Sequence, residues 1–205
     1  MSPVAKPRDA ASLVAVRVGR EPAVLMGRRH ARHRFMPNYF VFPGGRVDPR
    51  DHLAPLVSDL RSDVAEALSR EVSPVRARAL AVAAARETFE ETGLVLGELR
   101  DGRLAPALDG LQYLARAITP VQSPIRFHAR FFVVAEAALG GQIRDSDELL
   151  DVDWVPVSRA LALPLADITQ FVVHEVARLV PDLTAKRSVP LYRYRRGRPS
   201  VVRHG

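Results

Sequence analysis

Residues 75–92 contain neither glycine nor proline, are rich in alanine, and run into Gly93. Alanine is the strongest helix former, and a glycine just past the last turn takes the left-handed conformation that closes a helix. The sequence therefore predicts one long helix here, and the rest of the chain must pack against it. Around it lie runs rich in valine, leucine and aromatic residues. Strands are predicted at 12–18 and 23–27, joined by a turn at 19–22 into a hairpin, and at 39–42, 114–119, 125–136 and 151–157. Residues 28–34 read as a basic loop and 97–112 as loop or helix. Ser158 reads as the cap of a short helix to Leu163. Ile168, Phe171, Val172, Val176 and Leu179 mark one face of a last helix over 166–180. Strands, helix, strands and helices in that order give an α+β domain with a mixed sheet rather than a doubly wound parallel one.

Composition excludes several functions. The chain has 205 residues and no cysteine, so a disulfide framework, a thiol nucleophile and a cysteine-bound metal are ruled out. No apolar run has the length of a membrane span, and residues 1–11 lack the apolar core of a secretory signal, so a cytoplasmic protein is expected. The net charge is +7, carried almost wholly by arginine, since lysine occurs only at Lys6 and Lys186. Such a balance suits phosphorylated small molecules or nucleic acid, although an arginine- and alanine-rich composition also follows from a GC-rich coding sequence.

The residues that carry chemistry end the long helix: Arg86, Glu87, Glu90 and Glu91, then Gly93 and Leu94. Helical spacing of three and four places the three carboxylates on one face. They stand at the negative end of the helix dipole, where acids are disfavoured. Like charges in that position need a cation, and an all-oxygen ligand set suits a hard divalent ion, Mg²⁺ or Mn²⁺. Arg86 can pair with Glu90 one turn on. The competing reading is a solvated acidic face.

This segment resembles the second half of the Nudix box, G-x(5)-E-x(7)-R-E-U-x-E-E-x-G-U with U aliphatic. Arg86, Glu87, Glu90, Glu91, Gly93 and Leu94 match it, and Thr88 stands at the first U. Phe42-Pro43-Gly44-Gly45 is similar to the loop that opens the box in Nudix hydrolases. The resemblance implies a mixed sheet sandwiched between helices, in one domain over residues 1–205. One departure stands out. Gly45 and Arg86 lie 41 positions apart where the pattern has 14, so about 27 residues are inserted. The place eight before Arg86, glutamate in the family, is Arg78. The insertion, about 46–74 with helical stretches near 56–68, is expected to act as a substrate-facing lid, and about 186–205 as a basic tail. An inserted box is similar to the branch of coenzyme A diphosphatases, peroxisomal and bacterial. The stretch from Leu25 to His30 also loosely resembles a coenzyme A signature.

The resemblance implies hydrolysis of a diphosphate joining a nucleoside to another group, with CoA or acyl-CoA giving 3′,5′-ADP and phosphopantetheine as one candidate. Glu87 and Glu91, helped by Glu90 and a backbone carbonyl at Gly44 or Gly45, would hold the metal. Arg86 would position a carboxylate. Glu148 is the expected base from outside the box, with Asp147 and Glu136 in reserve. Arg28, Arg32, Arg34 and Arg126, with Gly44, would face phosphate. A homodimer is allowed by analogy with the fold. His128 and Trp154 read as structural residues, and His174 has no nameable partner. Two alternatives remain open. One is a Nudix scaffold that binds nucleotides without cleaving them. The other, less favoured, is a nucleic-acid binder using Tyr192 and Tyr194 among arginines of the tail.

Overall fold

The computed structural model describes residues 5–32, 36–180, 182–183, 185 and 188–203. Its centre is a mixed sheet built from β1 (Arg8–Arg17), β2 (Ala23–Arg29), β8 (Gln112–Ile118), β9 (Phe127–Ala135), β11 (Leu149–Pro156), β12 (Leu191–Arg195) and β13 (Arg198–Val202), ordered β11-β2-β1-β9-β8-β12-β13. The β1–β9 and β8–β12 pairs are parallel and the other neighbours antiparallel. Two short strands, β3 (Phe40–Val41) on β2 and β4 (Gly44–Arg46) on β1, extend the sheet.

Period-two alternation splits the sheet into two cores. Ala11, Leu13, Phe132 and Val134 face α2 (Pro74–Thr92), whose alanines from Ala77 to Ala85 are buried, together with Val64 and Leu68 of α1 (Ser62–Ser69). Alanine gives α2 helix propensity and lets its backbone lie close to the sheet. Val14, Val16, Phe131 and Val133 face α4 (Asp167–Leu179) through Phe171, Val172 and Val176. The sheet is thus sandwiched between helices, as the α+β reading expected. Ser73 accepts from the Arg76 N–H at the start of α2, and Gly93 closes it at φ +76°.

Several local expectations are corrected. Arg28 and Arg29 are not loop but the end of β2, paired with Phe40 and Leu149. Residues 97–112 are neither loop nor helix throughout: β6 (Gly97–Arg100) and β7 (Arg103–Pro106) form a hairpin. The short helix after β11, α3 (Val157–Ala160), follows Pro156 rather than a Ser158 cap. The basic C-terminus is the β12–β13 hairpin, docked on β8. There Tyr192 is buried against Phe171, and Tyr194 meets Tyr192 edge-on, so neither ring forms an open stacking platform. Among the described residues no helix is long and apolar enough to cross a membrane.

Candidate active site

The site forms where β4 is wedged between β1 and the end of α2. Gly44 pairs with Ser12 and Gly45 with Ala11 across the β1–β4 ladder. A side chain at Gly44 would collide with Ser12 Oγ and the Ala11 carbonyl, and one at Gly45 with the Glu87 carboxylate. Only glycine lets the two strands and the helix come this close. The Gly44 N–H donates to Glu91 Oε2 at 2.9 Å, so the strand fixes the carboxylate that follows it by 47 positions.

The three acids of the helix end are not equivalent. Glu91 is 7% exposed and Glu87 is largely buried beside Gly45. Glu90 turns outward, its side chain 54% exposed, and takes a hydrogen bond from Arg86 Nη1 at 2.9 Å. Burial pushes the Glu91 carboxyl up to about 8, against the Gly44 N–H, while Glu87 and Glu148 add like charge and Arg29 offsets part of it. Burial also raises Glu87, opposed by Arg86 and reinforced by Glu90 and Glu148. Carboxylates raised by burial and mutual repulsion are a set that a cation would relieve. Among the described residues no three acidic or histidine side chains are gathered into a ready-made metal cage. Glu87 and Glu91 fit a hard ion that takes few protein oxygens and completes its shell with water and substrate, the habit of Mg²⁺.

Arg86 is the hub of the cluster. It reaches Glu87 and Glu90 from Nη1, the Arg46 carbonyl from Nη2 at 3.1 Å, and Asp51 twice, Nε to Oδ1 at 2.8 Å and Nη2 to Oδ2 at 3.1 Å. Burial alone would lower its pKa. The Asp51 hydrogen bond and the charges of Glu87 and Asp51 override that and hold it above the ordinary arginine value. Asp51 is 2% exposed and sits in a 3₁₀ turn (Pro49–His52), where it and Asp48 cap each other's backbone. The sequence reading missed it. The signal was present: Asp51 follows Gly45 at the spacing of the glutamate in G-x(5)-E. Arg78, at the place counted back from Arg86, points to Asp59 instead. The segment separating the two halves of the pattern therefore begins after Asp51.

These groups border a cavity of about 1410 Å³. Of the residues singled out from sequence, Arg86, Glu87, Glu91, Glu148, Gly44, Gly45 and Arg126 lie on its wall. Glu90 does not, being held outside by Arg86. Arg28 does not either: it bonds Asp151 at 2.7 Å and Asn38 at 3.2 Å, because the pleat turns it away from the cavity. Its neighbour Arg29 faces in, within the field of Glu91 and Glu148. Arg34 lies outside the described residues. Arg32 and Asp147 are exposed and off the wall, and Glu136 is engaged by Arg17 through two 2.7 Å hydrogen bonds. Of the segment expected to cover the site, Arg46 to Pro49 border the cavity, whereas α1 packs on α2 and β8. Trp154 packs against the α2-side core beneath the Arg17 guanidinium, and His128 faces a second cavity on the α1 side, both structural placements.

A mixed sheet between helices, with a Gly-Gly strand seated on the acidic end of a helix, is the arrangement of a Nudix-type pyrophosphohydrolase. The NUDIX domain model matches residues 75–175, starting at the box helix, beyond the segment that splits the motif. No curated protein sequence matches the chain. Among solved structures, a NUDIX hydrolase from Alicyclobacillus acidocaldarius is 28% identical, with a TM-score of 0.62 over 84% of this chain and 92% of that one. A MutT NUDIX hydrolase from Burkholderia pseudomallei (18% identical, TM-score 0.53, 84% and 99% covered) shares the fold. So does the NUDIX domain of Shewanella oneidensis NrtR, solved with ADP ribose (15%, TM-score 0.51, 85% and 88% covered). The domain model and the 28%-identical hydrolase support the Nudix superfamily for this chain, and the two more distant structures share its fold.

Proposed function

We propose that this pyrophosphohydrolase cleaves the diphosphate of a nucleoside diphosphate linked to a second group, with CoA or acyl-CoA as the leading candidate and 3′,5′-ADP as the product that identifies it. The observation that carries the reading is the pairing of Glu87 and Glu91 with Gly45 and Gly44 at the mouth of the cavity. Glu87 and Glu91 would hold Mg²⁺ or Mn²⁺, which when bound neutralises diphosphate oxygens and acidifies a coordinated water. Glu90 contributes at a distance, by sharing Arg86.

The chain's own groups do the rest. Arg86 orients the Glu87 carboxylate and offsets part of the cost of burying its charge. Glu148, on the wall and electrostatically coupled to both metal-binding acids, accepts the proton of the attacking water. Arg29 and Arg46 face the oxygens on which charge builds, so positioning and electrostatics supply most of the rate. A panel of CoA, acyl-CoA, NADH, ADP-ribose and nucleoside triphosphates, incubated with Mg²⁺ or Mn²⁺ and separated by chromatography, tests this. Metal-dependent release of 3′,5′-ADP from CoA supports the full proposal. No turnover of any diphosphate by the folded protein would leave only a binding role.

A further inference from the structure

The cavity is charged unevenly. The acids of the reaction centre stand at one end: Glu91 and Glu87 at the level of Ser12 and Ala11 on β1, with Glu148 beside them. The two other carboxylates on the wall are engaged, Asp48 in capping the 3₁₀ turn and Asp167 by the Tyr194 hydroxyl. At the opposite end the wall is built from Lys6, Arg8 and Arg126. Among the described residues none of these three cations forms an ion pair.

Local structure holds the two arginines together. The Arg8 N–H donates to the Arg126 carbonyl at 2.9 Å, and Arg8 pairs with Phe127 where β1 and β9 begin their parallel ladder. The Arg126 guanidinium is steered by main-chain oxygens, donating to Ala5 at 2.8 Å and Thr119 at 3.5 Å. Its Nε is buried without a hydrogen-bond partner. A guanidinium steered by neutral carbonyls, with no carboxylate partner, can take an oxyanion from the cavity on its remaining Nη hydrogens rather than serve as half of a structural salt bridge. Arg8, Ala10 and Ser12 share one face of β1, so this pole stands about 13 Å along the strand from the level of Glu91. That spacing leaves room for a diphosphate at one end and, across a ribose, a separate anionic group within reach of two long arginine side chains.

We propose that the substrates carry a phosphomonoester distinct from the diphosphate that is cleaved, and that Arg8, Arg126 and Lys6 bind it. This rests on the hydrolase reading and narrows its substrate class. It adds Arg8 and Lys6, which the motif does not contain, as specificity-determining residues.

Matched pairs test it: CoA against dephospho-CoA and NADP⁺ against NAD⁺, each pair sharing its diphosphate and differing by one phosphomonoester, at the 3′ or the 2′ position. The phosphorylated member of at least one pair should have a kcat/KM about tenfold higher, chiefly through KM. Arg8→Gln and Arg126→Gln should each shrink that preference, and the double variant should bring it within about twofold of unity. Arg126→Lys should restore part of it. Arg100→Gln, on the remote β6–β7 hairpin, should leave the ratio as it is and controls for net charge. Equal kcat/KM within both pairs, or a preference that survives the double variant, overturns the proposal. If no diphosphate is cleaved, the hydrolase reading fails separately, and calorimetry still judges the pole. Adenosine 3′,5′-bisphosphate binding about tenfold tighter than AMP, with the gain lost in the double variant, supports it, and equal binding overturns it.

Discussion

Asp51 and Arg86, 35 positions apart, meet through two hydrogen bonds of 2.8 and 3.1 Å with the carboxylate 2% exposed. Asp51→Asn keeps the shape but leaves a half-buried arginine without its main counter-charge. It should cost about 2–3 kcal/mol of stability. Turnover should fall at least about tenfold, because Arg86 also fixes Glu87. Thermal denaturation and steady-state kinetics measure both. Full activity in Asp51→Asn would show that Glu87 is positioned without this pair.

The two glycines of β4 should fail in different ways. An added methyl at Gly45 meets the end of the Glu87 side chain, which can swing aside, so Gly45→Ala should fold with a loss of about 1 kcal/mol and lose most metal-dependent turnover. At Gly44 the methyl meets the Ser12 side chain and the backbone of β1, so Gly44→Ala should lose about 3 kcal/mol or more. Urea unfolding alongside activity separates the two outcomes.

Glu91→Gln replaces a buried carboxyl, whose ionised form is disfavoured by burial and by Glu87 and Glu148, while keeping an oxygen for the Gly44 N–H. Metal-free Glu91→Gln should be as stable as the parent or more so, yet bind Mn²⁺ at least about tenfold more weakly by paramagnetic relaxation. Unchanged Mn²⁺ affinity would take Glu91 out of the metal site. Glu148→Gln should instead spare affinity and lower kcat by about 10²-fold.

His128 sets a pH dependence remote from the site. Burial, with Arg130 and Arg116 nearby, lowers its pKa to about 4, against a weaker opposing pull from Asp9. The Glu71 carboxylate, 3.8 Å from Nε2, is already shared with both arginines. Between pH 6.5 and 4 the unfolded chain binds the extra proton and the folded one does not. Stability from this residue is therefore complete above 6.5 and drains away as pH falls toward 4. The loss should reach on the order of 2 kcal/mol once partial exposure is discounted. Urea midpoints at pH 7, 6 and 5 should fall less steeply for His128→Gln than for the parent, and parallel slopes would assign the acid sensitivity to other groups.

Leu68 tests the role of the inserted helix. It is fully buried against α2, so Leu68→Ala should lose about 2–4 kcal/mol while leaving KM unchanged, since α1 does not border the cavity. A raised KM at full occupancy of the folded state would support a lid role for α1.

The long helix, the paired glycines and the acids at 87 and 91 were legible because each rests on local chemistry: propensity, a special backbone position, or spacing along one helix face. Arg29 rather than Arg28 faces the cavity because β2 runs two residues beyond the predicted strand 23–27, and a pleat reverses its facing at every step. Asp51 is hidden from a count backwards from Arg86, because the inserted stretch intervenes, and falls on the glutamate place only when counted forwards from Gly45. Glu90 reads as a helper ligand by the family resemblance and by helical spacing. Nothing in that spacing reveals that Arg86 holds it to the solvent side. The 97–112 hairpin and the docking of the basic C-terminus depend on partners distant in sequence, which periodicity cannot supply.

The clamp between Asp51 and Arg86 also bears on how such enzymes are recognised. A stretch tied down at both ends can lengthen cheaply, since each doubling of a closed loop adds only about 0.6 kcal/mol of entropy. The signature must be contiguous in space alone, and a search for the unbroken string of letters would pass over any relative that has opened its motif at the same joint.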